Sequence, residues 1–173
     1  MERAWLFEKL AITVAWIDFL DPAFVGQPDV RERGVRVEVK PARSTHRGSV
    51  YVSSEDVLAP AICRIDLLES RPHAADRMHW HPTMHSGEPG DRTMEAAIAA
   101  DPVGWLSDQL EHLDELLVRA GVTDLEGLGQ DVVAIRATAG EIAASAASGL
   151  EWARETPWPA VVHDERGLAV GSA

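Results

Sequence analysis

The alternation of apolar and polar positions predicts strands in the first half of the chain. Valines at 35, 37 and 39 alternate with charged residues, and residues 61–68 repeat the pattern with Cys63 on the apolar side. Because successive side chains of a strand point to opposite faces, both segments are expected to be half-buried strands, with Cys63 in the core. β-branched and aromatic residues at 11–19 favour a third, buried strand.

Turn-forming residues separate these strands. The prolines and glycines between Asp21 and Gly34 indicate a loop. A short helix is one option for the residues that precede the strand at 11–19. Gly48 begins another short strand at 49–53, which is expected to pair as a hairpin with the valine-rich strand.

A helical period replaces the alternation after the middle of the chain. Asp101 and Pro102 are typical of an N-cap and a first helical position, and leucines then recur three or four residues apart to about residue 120. A second helix is expected at 130–154, where glycine, alanine and serine are frequent. Residues 157–173 are expected to form a small hairpin or a loose tail.

Together these elements predict an α+β fold with two layers. A small, mostly antiparallel sheet from the N-terminal half is expected to pack against two C-terminal helices. The length of 173 residues suits a single domain. We expect it to comprise a strand-rich part (1–92), a helical part (93–156) and the final hairpin or tail.

Composition restricts the partners and the compartment. The net charge of −12 argues against binding to nucleic acid or to an anionic membrane. The apolar run Leu10–Leu20 contains Asp18, is too short to cross a bilayer and lacks the features of a signal peptide. Cys63 is the only cysteine, so neither an intramolecular disulfide nor a cysteine-based zinc site is expected. These observations predict a cytoplasmic protein.

The most concentrated chemical feature is a histidine-rich segment, residues 71–92, which contains four of the seven histidines. Its centre reads His79-Trp80-His81. In an extended chain the two histidines share one face, whereas Met78 and Trp80 point the other way and anchor the segment in the core. The two imidazoles then start about 7 Å apart along the backbone, a separation that one metal ion can bridge.

Further potential ligands follow these two histidines. Pro82 turns the chain, so His85 is expected to return as a third ligand beside His79 and His81. Glu88 and Asp91 would supply a fourth ligand or a catalytic general base. Three protein ligands with an open position are typical of catalytic zinc sites, and a mixed histidine and carboxylate set also suits Fe(II) or Mn(II). We therefore predict a divalent metal as cofactor. No nucleotide cofactor is expected, because the chain lacks the glycine-rich phosphate-binding motifs.

Other interpretations of the segment remain open at this point. Histidines are common on surface loops without any site, and the same residues also suit a metal-free polar pocket. The His79-x-His81 pattern resembles the first metal motif of cupin barrels, but His85 stands where that motif has a glutamate. The helical C-terminal half does not fit a barrel either, so we do not assign the chain to that family.

Two functions are compatible with these patterns. The first is a small metal-binding protein that acts as a metal-dependent enzyme, hydrolytic or oxygen-using, on a small-molecule substrate. The second is a non-catalytic protein that binds a small molecule or a partner and forms homo-oligomers through the small-residue helix at 130–154.

Overall fold

The computed structural model describes residues 1–21, 30–45, 55–155 and 157–172. Within these ranges the helical segments follow the strand-rich half, and a last short hairpin ends the chain. No helix in the described ranges combines the length and apolarity that crossing a membrane requires.

The described residues form ten strands and four α-helices. The strands are β1 (Glu2–Leu6), β2 (Leu10–Leu20), β3 (Arg31–Thr45), β4 (Glu55–Leu58), β5 (Cys63–Glu69), β6 (His79–His81), β7 (Met84–His85), β8 (Glu88–Pro89), β9 (Val161–His163) and β10 (Ala169–Ser172). The α-helices are α1 (Ala96–Ala100), α2 (Pro102–Glu111), α3 (Leu113–Arg119) and α4 (Gly129–Arg154).

The main sheet has the order β1-β2-β3-β5-β6, and β4 pairs with the C-terminal part of β3. All neighbouring strands in it are antiparallel. Two further antiparallel pairs, β7 with β8 and β9 with β10, lie outside this sheet. The helices pack against the main sheet, so the predicted α+β fold is confirmed.

The main sheet has an apolar face and a polar face. The three valines of β3 point toward the helices and are fully buried with the leucines of α2 and α3. Cys63 lies in this same core, as the alternation predicts. The intervening residues of β3, such as Arg36, and Asp66 on β5 point to the opposite side of the sheet. Polar chemistry is therefore gathered on the face that the helices do not cover.

A glycine lets α4 approach the sheet closely. A Cβ atom at Gly149 would lie 2.5 Å from Val35 Cγ2 and 2.7 Å from Trp16 Nε1. Trp16 also stacks on Trp152 with 5.2 Å between the ring centroids. Small side chains on this side of α4 thus serve packing within the chain.

Tertiary contacts explain where the helices and strands differ from expectation. Residues 2–6 form β1 rather than a short helix, because the Asp131 carboxylate accepts hydrogen bonds from the backbone of Lys9 and Leu10 and holds the turn into β2. The helix expected to continue to residue 120 breaks at His112, where Arg136 Nε donates to the Glu111 carbonyl at 2.6 Å.

Three other expectations concern loops and ends. The loop expected over 21–34 is shorter than predicted, because β3 already begins at Arg31. The strand expected at 49–53 lies outside the described residues, and among those described, β3 pairs with β4. The predicted second helix is α4, and the final residues form the small hairpin of β9 and β10.

We predict that Gly149→Ala destabilises the protein although alanine favours helices. The new methyl group overlaps the buried Val35 and the stacked Trp16, and overpacking of this kind costs about 1–3 kcal/mol. Gly140→Ala is the matched control in the same helix, because nothing lies within 4 Å of its Cβ position. It should stabilise the fold by about 0.5–1 kcal/mol in urea unfolding. Equal changes in the free energy of unfolding for the two substitutions would contradict the close packing of α4 on the sheet at Gly149.

We also predict that Cys63 is unreactive in the folded protein. Burial raises the pKa of its thiol to about 12, so almost no thiolate is present at pH 8. A thiol reagent such as DTNB should label Cys63 only after denaturant is added. Rapid labelling of the native protein at pH 8 would show that this part of the sheet opens.

Candidate metal centre

Strand pairing brings one carboxylate and two imidazoles together on the polar face. In the register of β5 with β6, Asp66 lies opposite His79 and Arg64 lies opposite His81. Arg36 on β3 lies opposite Asp66 from the other side. Asp66, His79 and His81 form a group in which one ligand atom from each residue lies within 4.8 Å of the others.

The donor atoms of this group face one another. The two Nε2 atoms of His79 and His81 are 3.0 Å apart. Asp66 Oδ2 lies 3.6 Å from Nε2 of His79 and 3.7 Å from Nε2 of His81. Two donors bonded to one ion at about 2.1 Å are roughly 3.0 Å apart at a right angle and roughly 3.4 Å apart at a tetrahedral angle. The 3.0 Å separation matches a right angle, and the separations of 3.6 and 3.7 Å correspond to angles of roughly 120°, so one small cation could contact all three atoms.

Backbone carbonyls fix both imidazoles. Nδ1 of His79 donates to the Arg77 carbonyl, and Nδ1 of His81 donates to the Gly90 carbonyl, each at 2.8 Å. In a neutral ring whose proton is on Nδ1, Nε2 carries a lone pair, and the Nε2 atoms of His79 and His81 face each other. Two lone pairs at this distance repel unless a cation or a proton lies between them. Carbonyls that orient the far nitrogen are a usual feature of histidine metal ligands.

Charges around the group keep Asp66 ionised. Burial alone would raise the pKa of Asp66, but its contact with His81 and the charges of Arg36 and Arg64 hold that pKa well below its usual range. Arg36 Nε lies 2.7 Å from Oδ1, and Arg64 Nε lies 2.9 Å from Oδ2. Burial lowers the pKa of His79, so its ring is neutral at pH 7. The group thus offers the Nε2 atoms of two imidazoles and one ionised carboxylate.

The site is shielded from solvent. Asp66 is 1% exposed, and His79 and His81 are each 2% exposed. The turn before β6 is held by the Asp76 carboxylate, which accepts hydrogen bonds from the backbone and the hydroxyl of Ser70. Shielding strengthens the electrostatic interactions of the group, because nearby water no longer screens them.

A second carboxylate lies on the same polar face. Glu32 on β3 is 1% exposed, and its Oε1 has no hydrogen-bond partner among the described residues. The pKa of Glu32 is raised, because burial and the nearby charge of Asp21 outweigh the lowering effect of the charges of Arg92 and Arg77. The polar face therefore carries both acidic and basic side chains away from bulk water.

The side chains at the centre of the histidine-rich segment point in the expected directions. Met78 and Trp80 are buried in the core, at 1% and 2% exposure, and the two histidines share the other face. Trp80 is held further by a 2.8 Å hydrogen bond from Nε1 to Glu95 and by Arg119, which lies 4.4 Å over its ring.

The other predicted site residues lie outside this group. His85, on β7, and Glu88, on β8, are exposed on the small hairpin, and Asp91 is exposed just after it. The carboxylate that the structure brings to the histidines is that of Asp66. The sequence does place Asp66 on the polar side of the alternating strand at 61–68. The sequence near that strand does not show that it pairs with β6, so it does not show that Asp66 lies beside the histidines.

Comparison with protein-family models, with curated proteins and with solved structures finds no match to this chain.

We predict that Asp66→Asn destabilises the metal-free protein. The substitution keeps the shape but leaves the mostly buried Arg36 and Arg64 without their counter-charge, which costs about 2–4 kcal/mol. Urea unfolding with a chelator present measures this loss. Asp114→Asn is the control, because its pair with Arg136 is half exposed on both sides and contributes under about 1 kcal/mol.

The effect of Asp66→Asn should also depend on pH. The lowered pKa of Asp66 means that its ionised form stabilises the fold fully above its ordinary value near 4, and that this contribution fades as the pH falls below it. The stability difference between the two proteins should therefore be smaller at pH 3 than at pH 7. A difference that grows on acidification would contradict the buried ion pairs.

Proposed function

We propose that this chain binds one divalent transition metal through Asp66, His79 and His81. The observation that carries the proposal is the pair of Nε2 atoms 3.0 Å apart, each turned toward the other because Nδ1 of its ring is bonded to a carbonyl. Two imidazoles and a carboxylate suit Zn(II), Fe(II) or Mn(II). Three protein ligands leave further coordination positions for water or a substrate.

We further propose that the loaded centre is the active site of a small enzyme, hydrolytic or oxygen-using. The metal would supply Lewis acidity to a bound oxygen atom. Asp66 and the two histidines would hold it, and the surrounding shell would exclude bulk water. The roles of Glu88 and Asp91 as general base, and of His85 as a ligand, stay predictions. All three lie on or next to the hairpin before Gly90, whose carbonyl orients His81.

Metal binding is the first test. Chelator-treated protein without a histidine tag should bind one Zn(II) or Mn(II) per chain by calorimetry, and each ion should raise the melting temperature. His79→Ala, His81→Ala and Asp66→Asn should each weaken binding by about a hundredfold or more, since even residues that only orient a ligand contribute ten- to a hundredfold. Wild-type protein that binds none of Zn(II), Fe(II) and Mn(II) would refute the proposal.

His85→Ala distinguishes the two possible third ligands. If Asp66 completes the set, His85→Ala should leave the affinity within about threefold, because the loss of one exposed side chain away from the donors removes little. If His85 is the ligand instead, its loss should be severe and Asp66→Asn mild. His163→Ala, on the exposed part of β9 and in a separate sheet, is the control for nonspecific binding by surface histidines.

Catalysis is tested with the loaded protein. Zn(II)-loaded protein is assayed with an activated ester and a phosphate ester, and Fe(II)-loaded protein is assayed for oxygen uptake. Activity should disappear in His79→Ala. Stoichiometric metal binding without any of these activities would leave a structural metal site, and the enzymatic part of the proposal would fail.

Oligomerisation through α4 also stays a prediction. Gly149 and its small neighbours are used for packing against the sheet, whereas Gly140 faces open space and Val133 is 64% exposed on the outer side. If the outer side mediates assembly, light scattering should show a dimer that Gly140→Arg dissociates.

A further inference from the structure

One cation already lies against the proposed ligand atoms. The Arg64 guanidinium places Nη2 3.3 Å from Nε2 of His81 and Nε 2.9 Å from Oδ2 of Asp66. Arg64 therefore contacts two of the three donor atoms that a metal would use. Its side chain is 13% exposed, so this contact is largely shielded from water.

Arg64 in this position and a bound metal exclude each other. The guanidinium can only donate hydrogen bonds, so its contact with His81 uses the Nε2 lone pair. A metal bonded to Nε2 needs that same lone pair. A divalent ion at the centre of the group would also lie within a few ångströms of the guanidinium charge in a shielded site, where like charges repel strongly. Arg64 must move before a metal can bind.

Besides Asp66, whose Oδ2 lies 2.9 Å from Nε, Arg64 has a second acidic partner nearby. Glu38 lies directly opposite Arg64 in the register of β3 with β5, and its negative charge already acts on the guanidinium. Glu38 pairs with Lys40 at 2.7 Å and is 19% exposed, so a turn of the Arg64 side chain toward it keeps a counter-charge.

We infer that Arg64 is a built-in competing cation that sets the metal affinity of the site: it caps Asp66 and His81 in the metal-free protein and turns to Glu38 when a metal binds. This inference rests on the proposed function and goes further by naming the residue that controls it. Without a metal, Arg64 supplies the positive charge that the converging lone pair of His81 and the Asp66 carboxylate require.

The competition restricts which ions can bind. Every metal must displace the same guanidinium, so every affinity is lowered by the same factor. Ions that bind imidazole weakly, such as Mg(II) and Ca(II), then fall below useful affinity, whereas Zn(II), which binds nitrogen ligands strongly, still displaces Arg64. Arg64 thus determines which ions bind by lowering the affinity for all of them, so that only strongly bound ions remain, and not by contacting the ion.

The test compares Arg64→Met with Arg36→Met in zinc titrations of chelator-treated full-length protein. Both substitutions remove one positive charge next to Asp66, but Arg36 contacts Oδ1 and neither histidine nitrogen. Arg64→Met should raise the zinc affinity about ten- to a hundredfold, the factor that corresponds to one charge-assisted hydrogen bond. Arg36→Met should change it by much less. Circular dichroism verifies folding, and Arg64→Gln replaces the methionine variant if that one fails to fold.

Glu38→Gln tests where Arg64 goes. Removing the alternative partner should weaken zinc binding severalfold in the presence of Arg64 and leave it unchanged in the Arg64→Met background. The same loss in both backgrounds would show that Glu38 acts only through its general charge and would overturn the proposed movement.

The outcomes separate this inference from the proposed function. Suppose that wild-type protein binds zinc. If Arg64→Met does not raise the zinc affinity, or if Arg36→Met raises it equally, the role of Arg64 is overturned and the metal site stands. Binding by Arg64→Met but not by wild-type protein refutes the proposed function of the natural chain while supporting competition by Arg64. Absence of binding in wild-type, Arg64→Met and Arg64→Gln proteins overturns both.

Discussion

Antiparallel pairing of β5 with β6 is the constraint on which the candidate site depends. It sets Asp66 opposite His79 and Arg64 opposite His81, so that carboxylate, imidazole and guanidinium groups meet on one face. The anchors of β6 lie on the other face, where Met78 and Trp80 are buried in the core. A slip of one residue would exchange the two faces, because side chains alternate along a strand. The core therefore fixes the chemistry on the opposite side.

The polar face differs from an ordinary solvated sheet surface. Its charged residues are shielded, and they compensate one another: Asp66 lies between Arg36 and Arg64, and both ion pairs are shorter than 3 Å. Breaking such a network by removing one partner is costly, whereas keeping it contributes little net stability compared with an apolar core. The converging histidine nitrogens within this network are the basis of the proposed metal site.

Metal-free and metal-bound forms would share one set of charges in two arrangements. In the first, the Arg64 guanidinium fills the space between the donors of Asp66 and His81. In the second, the ion would fill it and Arg64 would face Glu38. Because the sheet holds the backbone of β5 and β6 and the carbonyls of Arg77 and Gly90 hold both imidazoles, only the Arg64 side chain would need to move. The difference between the two forms is therefore local and confined to the polar face.

The amino-acid sequence alone determined the α+β class, the core position of Cys63 and the facing of His79 and His81 against Met78 and Trp80, because these follow from periods of two and of about three and a half residues. Tertiary structure decided the rest. Asp66 is 13 positions before His79, and only strand pairing brings their side chains together. Likewise, the turn into β2 is held by Asp131 of α4, more than 100 residues away. Local patterns carry no record of such long-range partners, so the carboxylate beside the two histidines could be found only in the folded chain.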